Sequence, residues 1–215
     1  MVIKTASLAH DSNSTISMQN SQVSAQLIKE LREKTGAGVS DVKKALEEAK
    51  GDTARALEII ERKLGGSAGK RAGRETNAGV VDAYVHSNDR LGVLVELFSE
   101  TDFVARNESF KQLAHDIALH IAAMRPMYLS LEAVPAEQWE AEKERFTQEA
   151  KMHDKPSNII EQIIDGKLKA HFGAYSLLDQ PFVKDQDKTV GQVLNEAIGK
   201  FGENIKIGRF VRLEM

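Results

Sequence analysis

The apolar residues of this chain change their period near residue 78. Between Ser21 and Leu64 they recur at helical spacing in three short stripes: Val23, Leu27, Ile28 and Leu31; Val39, Val42, Ala45, Leu46 and Ala49; Leu57, Ile60 and Leu64. Beyond Asn77 they alternate, with Val81, Ala83 and Val85 interleaved with Asp82, Tyr84 and His86. A period of 3.6 followed by a period of two predicts an α+β chain, in which an N-terminal three-helix bundle precedes a mixed core of antiparallel β-sheet packed with helices. Thr35-Gly36-Ala37-Gly38 ends the first stripe and Lys50-Gly51 the second, because glycine readily takes the left-handed conformation at a helix end. Asp52 is placed to cap the third helix. The Gly-rich, basic stretch from Gly65 to Asn77 is expected to be a linker, which divides a head at 21–64 from a core at 78–215.

Within the core, Val93, Val95 and Leu97 continue the alternation beyond Ser87-Asn88-Asp89-Arg90 and predict a β-hairpin. Phe110, Leu113, Ala114, Ile117, Ala118 and Ile121 mark a helix with Asn107 as its N-cap and Pro126 just past its end. Tyr128-Leu129 is expected to form a short strand. The segment of about 132–178 is expected to be helical; it holds the single Trp, Trp139, and the apolar run Ile159, Ile160, Ile163, Ile164 and Leu168. A helix around Val190, Val193, Leu194, Ala197 and Ile198 and a strand from Ile205 to Leu213 that rejoins the hairpin complete the reading.

Several classes of function are excluded early. None of the 215 residues is a cysteine, so a disulfide scaffold, a thiolate metal site and a cysteine nucleophile are all absent. With 29 Lys and Arg against 32 Asp and Glu, the net charge of −3 offers no global attraction for nucleic acid or anionic lipid. A partner must therefore be recognised by shape. Met1 to Asn20 is polar, lacks the apolar run of a signal peptide and reads as a disordered extension, so the expected location is the cytoplasm. Gly65-Gly66-Ser67-Ala68-Gly69-Lys70 has Leu64 and Arg71 where a phosphate-binding loop needs Gly and Ser or Thr. His115 and His120, five positions apart, turn onto different faces of their helix and make no zinc pair. No metal site, cofactor site or catalytic residue is predicted. Phe103 and Val104 fall between a strand and a helix, where a loop is usually exposed; either the core or a partner must bury them. One reading packs Phe103 beneath its own helix, with Asp102 as a helix-start residue.

Two long stretches then point to a family. Leu31-Arg32-Glu33-Lys34-Thr35-Gly36-Ala37-Gly38-Val39-Ser40-Asp41-Val42-Lys43-Lys44-Ala45-Leu46 and Glu96-Leu97-Phe98-Ser99-Glu100-Thr101-Asp102-Phe103-Val104-Ala105-Arg106-Asn107 resemble the two signatures of translation elongation factor Ts. The likeness extends to Leu177 through Asp185 and to Gly202-Glu203-Asn204-Ile205 through Leu213. It implies a guanine nucleotide exchange factor that binds elongation factor Tu in its GDP form and its nucleotide-free form. It also implies that Thr101, Asp102, Phe103 and Val104 intrude beside Tu's magnesium site, while Arg32, Val39 and Ser40 dock against Tu's nucleotide-binding domain. Such a factor is not an enzyme and carries no cofactor, and GTP displaces it. The chain is similar to the short members of the family, for which a second copy is a candidate partner that completes the core. The family usually has methionine or another apolar residue where Val39 and Ser40 stand, so the chain departs from it at the polar Ser40, at Phe98 in place of Asn, and at Gly208 in place of Arg. The head also resembles ubiquitin-associated domains, so the alternative is a binding scaffold without exchange activity.

Overall fold

The computed structural model describes residues 23–35, 37–150 and 157–215; the expected extension Met1 to Asn20 lies outside them. One compact unit runs through Lys63 and a second begins at Leu64. The first holds α1 (Ala25–Thr35), α2 (Val39–Glu48) and the opening turns of α3 (Thr53–Arg71). Leu31, Val42, Ala45, Leu46, Ala56, Ile59 and Ile60, at least one from each helix, are buried there, and α1 packs against α2. Lys50 and Gly51 both take positive φ, 54° and 86°, and turn the chain between α2 and α3. The Asp52 carboxylate accepts the N–H groups of Ala54 at 2.9 Å and Arg55 at 3.1 Å, as an N-cap does.

The first half of the stretch expected to be a linker is helical instead, because α3 continues through Gly65 to Lys70 and ends at Arg71. Only Ala72 to Asn77 are non-helical. Each interior glycine costs about 1 kcal/mol relative to alanine, too little to stop a helix that is already nucleated and propagating.

In the second unit, β1 (Ala78–Val85), β2 (Leu91–Ser99) and β5 (Ile205–Glu214) form an antiparallel sheet in the order β1-β2-β5, so the final strand does rejoin the hairpin. The inner face presents Val93, Val95, Leu97, Ile205 and Ile207, on which Phe110, Ala114, Ile117, Ala118 and Ile121 of α5 (Glu108–Met124) close the main core. Asn107 caps α5 by accepting the Ser109 N–H at 2.8 Å. The pairing of β2 with β5 slips at Glu96: Val95 faces Phe210 but Leu97 faces Ile207. Gly208 and Arg209 therefore share one partner position in a β-bulge.

Tyr128 and Leu129 do not form a strand. Tyr128 makes one isolated bridge to Ser176, a contact too short to propagate a ladder. The helical segment comprises α6 (Ala136–Ala150) and α7 (Ser157–Gly173), which pack on each other around Phe146, Ile164, Leu168 and Phe172. Trp139 stacks on Phe172 with ring centroids 5.1 Å apart. A small hairpin of β3 (Pro181–Phe182) and β4 (Asp185–Thr189), which the alternation did not announce, leads to α8 (Val190–Phe201). Thr189 and Gln192 form a reciprocal capping box at the start of α8, and Gly202 ends it at φ 74°.

Candidate partner-binding site

At the end of β2 the chain passes through Glu100 and Thr101 into α4 (Asp102–Ala105), a single helical turn where an open loop was expected. One helical turn places successive side chains about 100° apart, so the quartet divides between core and solvent. Ala105 is buried and Val104 packs partly into the main core. Phe103 is 90% exposed, which overturns the reading that packs it beneath its own helix. Burying such a side chain is worth about 1.5 to 3 kcal/mol, and the free chain forgoes that gain. Asp102 is exposed as well, with its carboxylate 3.8 Å from the Arg106 guanidinium.

Polar contacts hold the turn. The backbone N–H of Thr101 donates to Glu203 at 3.0 Å, and its hydroxyl donates to the other oxygen of the same carboxylate at 2.6 Å. The Ser99 hydroxyl, fully buried, donates to the Thr101 carbonyl at 3.1 Å. Glu100 accepts the Asn204 N–H at 2.6 Å and the Arg74 guanidinium at 3.4 Å. The Asn204 amide in turn donates to the carbonyls of Ala72 at 3.3 Å and Arg74 at 2.7 Å. Ser99, Glu100, Glu203 and Asn204 were not singled out in the sequence. Their bonds reach across as many as 132 positions, and no spacing rule spans that distance.

The other three predicted residues belong to the first unit. Arg32 is exposed on α1; Val39, 51% exposed, and Ser40 open the first turn of α2, which packs against α1. Gly38 precedes them as an N-cap without a side-chain acceptor. The polar Ser40 thus sits in solvent and leaves no buried hydroxyl. Phe98 and Gly208, two of the departures from the family pattern, are neighbours: a Cβ on residue 208 would collide with the Phe98 ring.

His115 is exposed and its Nδ1 lies 3.1 Å from the Asp82 carboxylate, whereas His120 is fully buried. Among the described residues, no group of three or more His, Cys, Asp or Glu is arranged to hold a metal ion, and no helix is long and apolar enough to cross a membrane.

Residues 15–215 match the family model described as elongation factor TS. The chain is 52% identical over 192 residues to an elongation factor Ts of Acetivibrio thermocellus, covering 89% of each chain. It is 49% identical to that of Fervidobacterium nodosum, covering 90% of this chain and 98% of the relative, and 50% identical to that of Thermotoga petrophila, covering 90% and 96%. With the family pattern matched from residue 15 to the last residue, and half of the aligned positions shared with these relatives, the chain belongs to the elongation factor Ts family of translation elongation factors.

Proposed function

We propose that the chain is a guanine nucleotide exchange factor for elongation factor Tu. The observation that supports this reading above the others is Phe103, an aromatic at the tip of a tethered helical turn with 90% of its surface in water. A guanine nucleotide-binding protein holds its ligand through a backbone cradle, a lysine and an octahedrally coordinated Mg²⁺, so a small displacement of those groups weakens a charge-dominated site. No catalytic side chain is needed for that task. On this reading Arg32, Val39 and Ser40 dock the head against Tu, Phe103 inserts beside the magnesium site with Asp102 next to it, and Thr101 and Val104 seat the turn. GDP leaves, and GTP displaces the factor. The site of action is the cytoplasm, where elongation runs.

The test is the release rate of labelled GDP from purified Tu. Acceleration by catalytic amounts of the chain is expected; an unchanged rate with measurable binding would identify the scaffold reading instead.

A second copy of the chain is a further partner on this reading. Val81, Val85, Leu94, Val211 and Leu213 are all exposed, and the register brings them onto the outer face of the sheet, opposite the helices. An apolar sheet face of that kind is usually covered. Light scattering should give the mass of a dimer, and Leu213→Lys should shift it towards the monomer.

A further inference from the structure

We infer that Glu203 is a positioning residue for the exposed turn, acting through Thr101 to keep Phe103 presented to a partner. The inference rests on the reading that Thr101 to Val104 is the working segment. A turn as short as α4 has no stability of its own in water, since nucleation fixes several residues for one hydrogen bond. Its order must come from its anchors. Val104 and Ala105 anchor it below, but Asp102 and Phe103 reach away from the core. On the upstream side Thr101 would ordinarily turn its side chain inward and cap the helix; here it makes no such cap, because its hydroxyl is given to Glu203 together with its N–H. One carboxylate, 102 positions away in sequence, thus fixes both donors of the residue that opens the turn.

Glu203 is itself held. Gly202 ends α8 in the left-handed conformation, and the next residue, Asn204, is buried and tied to Glu100, Ala72 and Arg74. Glu203 therefore projects from a fixed corner. A contact group already held in its bound geometry loses less freedom on binding, and a partner that can use only the ordered fraction of a mobile turn sees an affinity reduced by that fraction.

The experiment compares Glu203→Ala, Phe103→Ala and the double variant in the GDP-release assay with Tu, together with melting curves and amide hydrogen exchange of the free chain. Glu203→Ala should leave melting within a few degrees, speed amide exchange at Ala105, Arg106 and Asn107, and lower the exchange activity about tenfold at sub-saturating concentration. In the Phe103→Ala background the same substitution should cost less than twofold, because the group it positions is gone. A purely structural role would give the same loss in both backgrounds, and that result overturns the inference, as does undiminished activity of Glu203→Ala beside an impaired Phe103→Ala. If Phe103→Ala alone retains full activity, the reading of the turn fails first. Thr101→Val, which removes only the hydroxyl donor, is the second variant should Glu203→Ala not fold: faster exchange confined to the turn with a partial activity loss supports the inference, and neither change overturns it.

Discussion

His120 Nε2 lies 3.0 Å from Gln180 Oε1, and together they join the last turns of α5 to the segment that follows α7. The imidazole Nδ1 accepts the Val183 N–H at 3.1 Å, which leaves Nε2 as the protonated nitrogen and makes the ring neutral. Gln180 accepts that proton and donates its own amide to the carbonyls of Met124 at 3.3 Å and Ala174 at 2.7 Å, so every polar atom of the pair has a partner. Burial holds the His120 pKa below its ordinary value, partly opposed by the bond to Gln180. The unfolded chain therefore takes up the proton first, and folding stability is full above about pH 6.5 and falls as pH drops towards the folded value. Thermal melting followed from pH 8 to pH 5 should show this acid slope. The slope should be shallower in His120→Gln; an equal slope in both proteins would place the titration elsewhere.

How much of this could be read in advance follows from range. The helices of the head and α5 and α8 were legible because apolar stripes such as Phe110, Ala114, Ile117 and Ile121 report burial within a single element. The bonds of Thr101 to Glu203 and of His120 to Gln180 were not, since glutamate and glutamine carry no periodic signal and their partners arrive only with the fold. The run Asp185–Thr189 was passed over as a strand because all five residues are polar. For Phe103 the pattern by itself pointed to the core, as most aromatics near helix starts do, and the phase of one helical turn decides for solvent.

The bulge at Gly208 couples two positions. A Cβ there would meet the Phe98 ring and lie 2.7 Å from Glu96 Oε2, an oxygen that already accepts the Arg209 N–H at 2.9 Å. Gly208→Arg should destabilise the chain by about 1 to 3 kcal/mol, the usual cost of forcing atoms into an occupied space. Phe98→Asn removes the ring, so the double variant should be more stable than the two single losses added together. Strict additivity in chemical denaturation would show that the two departures from the family pattern are independent.

Exchange activity carries a thermodynamic obligation. If the chain lowers the affinity of Tu for GDP by some factor, GDP lowers the affinity of Tu for the chain by the same factor. The dissociation constant of the complex should therefore rise steadily across a GDP titration until the two proteins separate. A constant value over that range belongs to a scaffold that grips Tu without touching its nucleotide site.

Phe103 gives the sharpest test, because its exposure separates folding from function. Core phenylalanines cost about 3 to 5 kcal/mol on truncation to alanine. A side chain 90% in solvent has almost no native contacts to lose, so Phe103→Ala should change the stability of the free chain by no more than about 0.5 kcal/mol. If that ring is buried in the complex, its loss should cost about 2 kcal/mol or more, as truncated interface aromatics do, and 1.4 kcal/mol already corresponds to tenfold. Accelerated GDP release should then fall at least tenfold in a protein that melts normally. Asp102→Ala separates charge from shape: its carboxylate is exposed and pairs with Arg106 across the surface, so melting should again hold while release slows if the charge acts on the magnesium environment. The two variants measured together divide the work of the turn between an apolar wedge and a negative charge. Undiminished release by a normally folded Phe103→Ala protein would remove Thr101 to Val104 as the working segment and move the search to the exposed first turn of α2, at Val39 and Ser40.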